Sequence, residues 1–173
     1  DFGKVGVRED VLVKAKKLYP HELQEIERRF HYIARTLQWR MEKERADALE
    51  KDVPREAILQ GISDQQRRIE QLWTFWTKVV SSNEPTVLPD GDFHLLGEIA
   101  GQAFEGPDGA IAPFLQPREV EILSLRKGSL TPKERMEIES HVTHTYHFLS
   151  KIPWTDDLQN VPWIAYTHHE KLN

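Results

Sequence analysis

Residues 130–151 read LTPKERMEIESHVTHTYHFLSK and contain the clearest helix of the chain. Thr131 is a favoured N-cap residue, Pro132 suits the first helical position, and Glu134 lies three residues beyond the cap, as a capping box requires. The spacing predicts a helix that runs to the end of this stretch and carries His141. The stretch therefore indicates a helical fold for the C-terminal part of the chain.

A similar helix start occurs earlier, where Leu18-Tyr19-Pro20-His21-Glu22 is followed by apolar residues at matching positions. Arg29 of the earlier helix corresponds to His141 of the later one. Two interpretations are open. The two stretches are either a diverged duplication or two helices that use the same start signal.

Between these starts, the sequence predicts a long helical hairpin. Apolar residues recur at spacings of three and four from Leu23 to Met41, and the predicted helix continues into a charged stretch that ends at Asp52. The spacing resumes from 55 to 80, after a break at Pro54. A Gly- and Pro-rich stretch at 81–117 follows, with a short helix predicted at Asp92 to Phe104.

Two more helices are predicted around the one that opens this section. One follows Pro117 and ends near Lys127-Gly128, and the last begins near Val161 and carries His168 and His169. The segment at 5–13 is predicted to be a loop that leads into one helical turn. The fold class expected from all of these elements is all-α.

The composition limits the functional classes that fit. The 173 residues are 39% hydrophobic and 29% charged, which is enough for one packed domain or one domain with an insertion. Cysteine is absent, which excludes disulfides, thiolate ligands and a cysteine nucleophile. The net charge of −5 argues against broad nucleic-acid binding. The apolar runs are too short to span a membrane, and a cytoplasmic location is expected.

Histidine supplies the strongest chemical signal. Five of the eight histidines follow residue 140, and in a chain without cysteine a metal site has to use imidazole and carboxylate ligands. Each of these histidines, taken alone, also fits a surface or core position without a metal. The five are His141, His144, His147, His168 and His169.

Three stretches together resemble the HD-GYP family of metal-dependent phosphohydrolases. Residues 1–7, DFGKVGV, resemble the family's first motif after its His-Asp pair, whose histidine would precede Asp1. Residues 130–141 resemble its Leu-Thr-Pro helix with a metal-binding histidine, and residues 168–173 resemble its His-His-Glu stretch. The three occur in the family's order.

The resemblance implies a fold, a domain organisation and an activity. The fold would be an HD-domain-like helical bundle with an inserted helical hairpin. The metal-site portion would comprise residues 1–18 and 118–173, and the insertion residues 19–117. The activity would be hydrolysis of cyclic di-GMP or a related phosphate ester by a metal-dependent phosphodiesterase.

The resemblance also implies roles for single residues. Asp1 and Lys4 would be the catalytic residues. Asp1 would bridge metals, and Lys4 would contact the substrate phosphate. His141, His168 and His169 would be metal ligands. The cofactors would be two or three divalent ions in a complete site, with iron or manganese the preferred metals.

Several expectations accompany this resemblance. The partners would be a cyclic dinucleotide substrate and an upstream sensor or receiver domain, with a homodimer possible and no nucleic acid or membrane. The chain departs from the family by its long insertion and by Thr145, where the family has glycine soon after the histidine. The family's remaining motifs would lie on either side of a fragment cut at both ends. The alternatives are a catalytically silent signalling or interaction module and a plain helical scaffold.

Overall fold

The structure is a computed structural model that describes residues 7–51, 53–87 and 90–167. It is all-α apart from one small hairpin, as the sequence predicted. The seven α-helices of this part of the chain are α1 (Glu9–Leu12), α2 (Pro20–Glu50), α3 (Arg55–Ser82), α4 (Asp90–Ala100), α5 (Pro117–Leu123), α6 (Pro132–Leu149) and α7 (Val161–Thr167), and a short 3-10 helix, Asp156–Leu158, precedes α7.

The predicted long helices agree closely with α2, α3 and α6. The prediction for the stretch before Pro117 was wrong at its end, because the helix stops at Ala100 and Phe104 belongs to a strand. Strand β1 (Ala103–Glu105) pairs antiparallel with β2 (Ile111–Pro113). The turn signals between them close this hairpin, and Gly109 has a φ of 79°, which favours glycine. The helix after Pro117 is also shorter than predicted.

The chain divides into two compact units. The described residues of the first unit are 7–15 and 130–167, and the second unit comprises residues 16–129. The boundaries expected from the resemblance lay at residue 18 and residue 117. The stretches 16–18 and 118–129 group instead with the long hairpin.

The second unit is built around the antiparallel pair α2 and α3. At 1.5 Å per residue these helices are roughly 46 and 42 Å long. The N-terminal half of α2 and the C-terminal half of α3 pack on α4, the two strands and α5. The apolar core between these elements consists of Leu18, Ile26, Phe30, Ile33, Ala34, Leu72, Phe75, Val79, Leu96, Ile99, Phe104, Leu115, Ile122 and Leu123. Trp73 and Trp76 pack against this core, so the aromatic residues of α3 serve packing.

The segment at residues 16–18, where the chain enters the second unit, is held by buried polar contacts. The backbone N–H of Lys17 donates to the Asn83 carbonyl at 3.0 Å, and the N–H of Leu18 donates to the Asn83 side chain at 2.7 Å. The ammonium of Lys17 is fully buried and donates to the carbonyl of Leu123 at 2.9 Å, at the C-terminal end of α5. A cation is favoured there because helix C-termini carry partial negative charge.

Three helices begin with the same device. Glu22, Glu119 and Glu134 each accept a hydrogen bond from the backbone N–H three positions earlier, at 2.9, 2.7 and 2.8 Å. Each glutamate follows a proline at the first helical position. Because the third occurrence lies outside the matched pair of stretches, a shared start signal explains the internal similarity better than a duplication.

Arg29, which corresponds to His141 in that similarity, has a structural partner. Its guanidinium donates to both carboxylate oxygens of Glu119, at 2.7 and 3.0 Å, and to the carbonyl of Phe114 at 3.0 Å. Arg118 of α5 donates in return to Glu22 of α2 at 3.1 Å. Glu22 and Glu119, the glutamates in the first turns of α2 and α5, therefore each form an ion pair with an arginine of the other helix.

No helix in the described ranges is long and apolar enough to cross a membrane.

Candidate functional site

The buried face of α6 is polar. Its buried residues are Glu134, His141 and Thr145, with exposed fractions of 7%, 4% and 7%. Their spacing of seven and four residues puts them on one side of the helix. Because burying a polar group without a partner costs free energy, a face of this kind requires partners for each member.

His141 has one ring nitrogen engaged by its own helix. Nδ1 donates to the backbone carbonyl of Ile138. Because a carbonyl only accepts, Nδ1 is the donor in this bond. A backbone carbonyl at one ring nitrogen is the usual way in which a metal-binding histidine is oriented for coordination through the other.

Glu134 holds the start of α6 and a distant lysine together. The ammonium of Lys14 contacts both carboxylate oxygens, at 2.8 and 2.9 Å, and the two side chains are only 2% and 10% exposed. Glu134 also accepts from the N–H and the hydroxyl of Thr131, at 2.8 and 2.9 Å. These bonds offset the desolvation of both charges, which is the condition for a buried ion pair to persist.

A second ion pair joins the same two segments. Arg8, the N-cap residue of α1, donates through its backbone N–H to Glu137 at 3.2 Å and through Nε at 3.1 Å. The side-chain and backbone hydrogen bonds from Arg8 hold the pKa of Glu137 below its ordinary value. Because Glu134 and Glu137 are one helical turn apart, residues 8–14 are fixed along the first half of α6.

The C-terminal half of α6 packs on aromatic residues. Tyr146 contacts Tyr166 of α7 with ring centroids 5.1 Å apart, and Trp163 lies 5.7 Å from Tyr166. The indole N–H of Trp154 donates to the carbonyl of Leu149 at 2.8 Å, at the last residue of α6. The helix that carries His141 is thus fixed at both ends.

Of the predicted site residues, only His141 lies in the described part of the chain. Asp1, Lys4, His168 and His169 lie outside the described residues. The stretch that follows Asp1 and Lys4 contacts α6 at residues 8–14, and α7 ends at Thr167, directly before the two histidines.

The other two histidines of α6 have a different environment. His144 and His147 are exposed, as is usual for histidines on a solvated helix face. Within residues 7–51, 53–87 and 90–167, no three histidine or acidic side chains cluster closely enough to hold a metal.

His141 suits a divalent metal in two respects. Its ring is buried, and its Nδ1 is held by the hydrogen bond to the Ile138 carbonyl. Imidazole nitrogen with carboxylate oxygen is the donor set that iron, manganese and zinc accept in proteins without thiolate ligands.

Sequence reasoning missed the residues that support this site. Lys14, Glu137 and Arg8 had no assigned role, and Glu134 was recognised only as a capping residue. The i, i+3 pair of acids on α6 was visible in the sequence, but its cationic partners lie more than a hundred residues away.

Comparison with known proteins gives one match. Residues 112–173 match the family model of the HD domain, a range that includes α6, α7, His141, His168 and His169. No curated protein and no solved structure matches the chain. The match supports an HD-domain phosphohydrolase family, whose members are in general metal-dependent hydrolases. Asp1 and Lys4 precede the matched range.

Proposed function

We propose that this protein is a metal-dependent phosphodiesterase of the HD-GYP type that hydrolyses cyclic di-GMP or a related phosphate ester. The observation that carries the proposal is the buried His141, oriented through Nδ1 on a helix within the HD-domain match. A buried imidazole on a polar helix face is costly for stability, and metal coordination is a function that would retain it.

The two ion pairs on α6 support the inclusion of Asp1 and Lys4 in the same site. Lys14 and Arg8 fix residues 8–14 along the helix that carries His141. Asp1 and Lys4 come a few residues before this fixed segment. We propose that the pairs with Glu134 and Glu137 position the first motif near the histidine.

Each residue has a chemical role in this proposal. His141, His168, His169 and Asp1 would hold the divalent ions, and Lys4 would bind the phosphate oxygens of the substrate. Lewis-acid stabilisation of the phosphoryl charge would come from iron or manganese ions at these ligands. The ammonium of Lys4 would add electrostatic stabilisation in the transition state.

The test is turnover by the full-length protein with its natural metal content. Metal is quantified after purification, and hydrolysis is followed with cyclic di-GMP and with bis(p-nitrophenyl) phosphate. The proposal expects at least two tightly bound ions and cleavage of both esters. If the protein cleaves only bis(p-nitrophenyl) phosphate, it is a phosphohydrolase for which cyclic di-GMP is not a substrate.

The second candidate is a catalytically silent signalling or interaction module. The end of the helical hairpin where α2 turns into α3 favours this candidate. Leu49 and Leu59 are 63% and 54% exposed there and offer apolar surface to a partner. A metal-free protein that neither binds nor cleaves cyclic di-GMP would select this candidate.

A further inference from the structure

The second unit contains a cavity that the proposed phosphodiesterase site does not use. It has a volume of about 460 Å³ and lies among α2, α3 and the β-hairpin. Cavities of about 300–1,000 Å³ are the usual size for small-molecule sites. All of its lining residues belong to residues 16–129.

The floor of the cavity is apolar and aromatic. Phe75 and Phe104 line it and are each 7% exposed, and the half-buried Phe114 completes the aromatic set. The rings of Phe75 and Phe114 meet edge to face with centroids 6.4 Å apart. Phenyl faces and edges of this kind favour a flat, apolar ligand.

One guanidinium at the cavity is held in place by the protein. Arg40 of α2 donates to the carbonyl of Glu105 at 2.6 Å, and its guanidinium lies 5.7 Å from the centre of the Phe104 ring. A guanidinium fixed in this way loses little further freedom when it binds an anion.

A second guanidinium comes from the opposite helix. Arg68 lines the cavity from α3, four and seven residues before Leu72 and Phe75 of the floor, so the three share one helix face. Glu105 is the acidic residue of the lining, and its backbone carbonyl is the acceptor of the hydrogen bond from Arg40. The charged residues of the lining are therefore two arginines and one glutamate, an excess of positive charge.

We infer that this cavity binds a small organic anion that has a flat aromatic body and one acidic head. The body would lie on Phe75, Phe104 and Phe114, and the head would pair with Arg40 and Arg68. Because Arg40 and Arg68 both line the cavity, an anionic head would have two cationic partners there. Arginine also matches the planar geometry of carboxylates and the oxygens of phosphate-type groups.

The probe for this inference is 8-anilinonaphthalene-1-sulfonate, an aromatic anion whose fluorescence rises on binding. N-phenyl-1-naphthylamine is its neutral counterpart and lacks the sulfonate. We expect one saturable site for the anion on the full-length protein, and binding of the neutral compound at least about tenfold weaker, since a charge-assisted bond is lost. Competition by 1-naphthoate and by 1-naphthylphosphonate identifies whether a carboxylate or a phosphate-type head is preferred.

Three variants separate the cavity from non-specific dye binding. Arg68→Gln is expected to weaken the anion at least about tenfold and to leave N-phenyl-1-naphthylamine unchanged. Arg67→Gln is the matched control, because Arg67 is the next residue on α3, is absent from the cavity lining and pairs with Asp64. Arg40→Gln is the second cavity variant, and circular dichroism verifies that the variant protein is folded.

Several results would overturn the inference. They are equal affinity for the charged and neutral dyes, equal losses in Arg68→Gln and Arg67→Gln, and the absence of a saturable site. These readouts involve no metal and no hydrolysis, so they are independent of the phosphodiesterase test.

Discussion

Helices α2 and α6 begin in the same way and then bury opposite kinds of side chain. Each has a proline at the first helical position and a glutamate that closes back on the start. Apart from Thr36, the buried residues of α2 are apolar: Ile26, Phe30, Ile33 and Ala34. Those of α6 are Glu134, His141 and Thr145.

We interpret this difference in burial as a difference in role. Apolar burial stabilises a fold in proportion to the area removed from water, so α2 is a structural helix. A polar buried face contributes less stability and needs a partner for every group. We interpret the buried face of α6 as part of a metal site that contains His141, at a cost in stability to the fold.

The largest expected loss of stability comes from a substitution among the apolar buried residues of α2. Phe30→Ala removes a fully buried ring that packs against Trp76 and Phe114, and it should lower the free energy of unfolding by about 3–5 kcal/mol. Urea unfolding measures it. Leu49→Ala is the control, since its side chain is 63% exposed and should change stability by no more than about 0.5 kcal/mol. Equal effects would contradict the assigned core.

The next effect is on the polar side. Lys14→Met leaves the buried carboxylate of Glu134 without its cation, which should cost about 3 kcal/mol, at the lower end of the range for broken buried pairs. The Thr131 bonds to Glu134 remain and limit the loss. Adding Glu134→Gln to Lys14→Met should recover part of it. A double variant less stable than Lys14→Met would argue against an ion pair.

A smaller effect concerns the start of α6. The Thr131 hydroxyl accepts from the N–H of Glu134 at 3.2 Å, and Thr131→Ala should cost about 1 kcal/mol. Thr131→Ser keeps the hydroxyl and should stay near the wild type. Thermal unfolding compares the two variants, and a serine variant as unstable as the alanine variant would reject the cap.

The smallest effect depends on pH. Arg8 lowers the pKa of Glu137 from its ordinary value of 4.5, so the pair stabilises the folded state above that pH, and this contribution is lost as the pH falls through the lowered pKa. Arg8→Gln should therefore reduce the melting temperature slightly at neutral pH and not in acid. Because the pair is solvent-accessible, added salt should also reduce the difference. A difference that grows toward acid pH would have the wrong sign.

The parts of the fold that follow from local pattern were predictable. The spacing of apolar residues fixed the extents of α2 and α3 closely, and the Thr131 start placed α6. The β-hairpin was not predicted, because a three-residue strand such as Ala103–Glu105 is too short to display its alternation. Its turn residues were recognised without the strands that they join.

The site was predictable only in part. His141 was identified through a resemblance, whereas its orientation by Ile138 depends on a rotamer that a sequence does not encode. The partnership of Lys14 with Glu134 spans more than a hundred residues and needs the tertiary fold. The same holds for Arg40 and Arg68, which reach one cavity only because α2 and α3 pair in a particular register.

The proposal that the buried His141 of α6 is a metal ligand can be tested with two variants of this helix. His141→Gln and His144→Gln are purified in parallel, and their iron and manganese contents are compared with the wild type, with circular dichroism to verify folding. The exposed His144 lies one turn further along the same helix. We expect His141→Gln to weaken metal binding by at least about 100-fold, beyond the range for outer-shell partners, and so to lose its metal on purification, whereas His144→Gln should retain the wild-type metal content. Full occupancy in a folded His141→Gln protein would contradict the proposal.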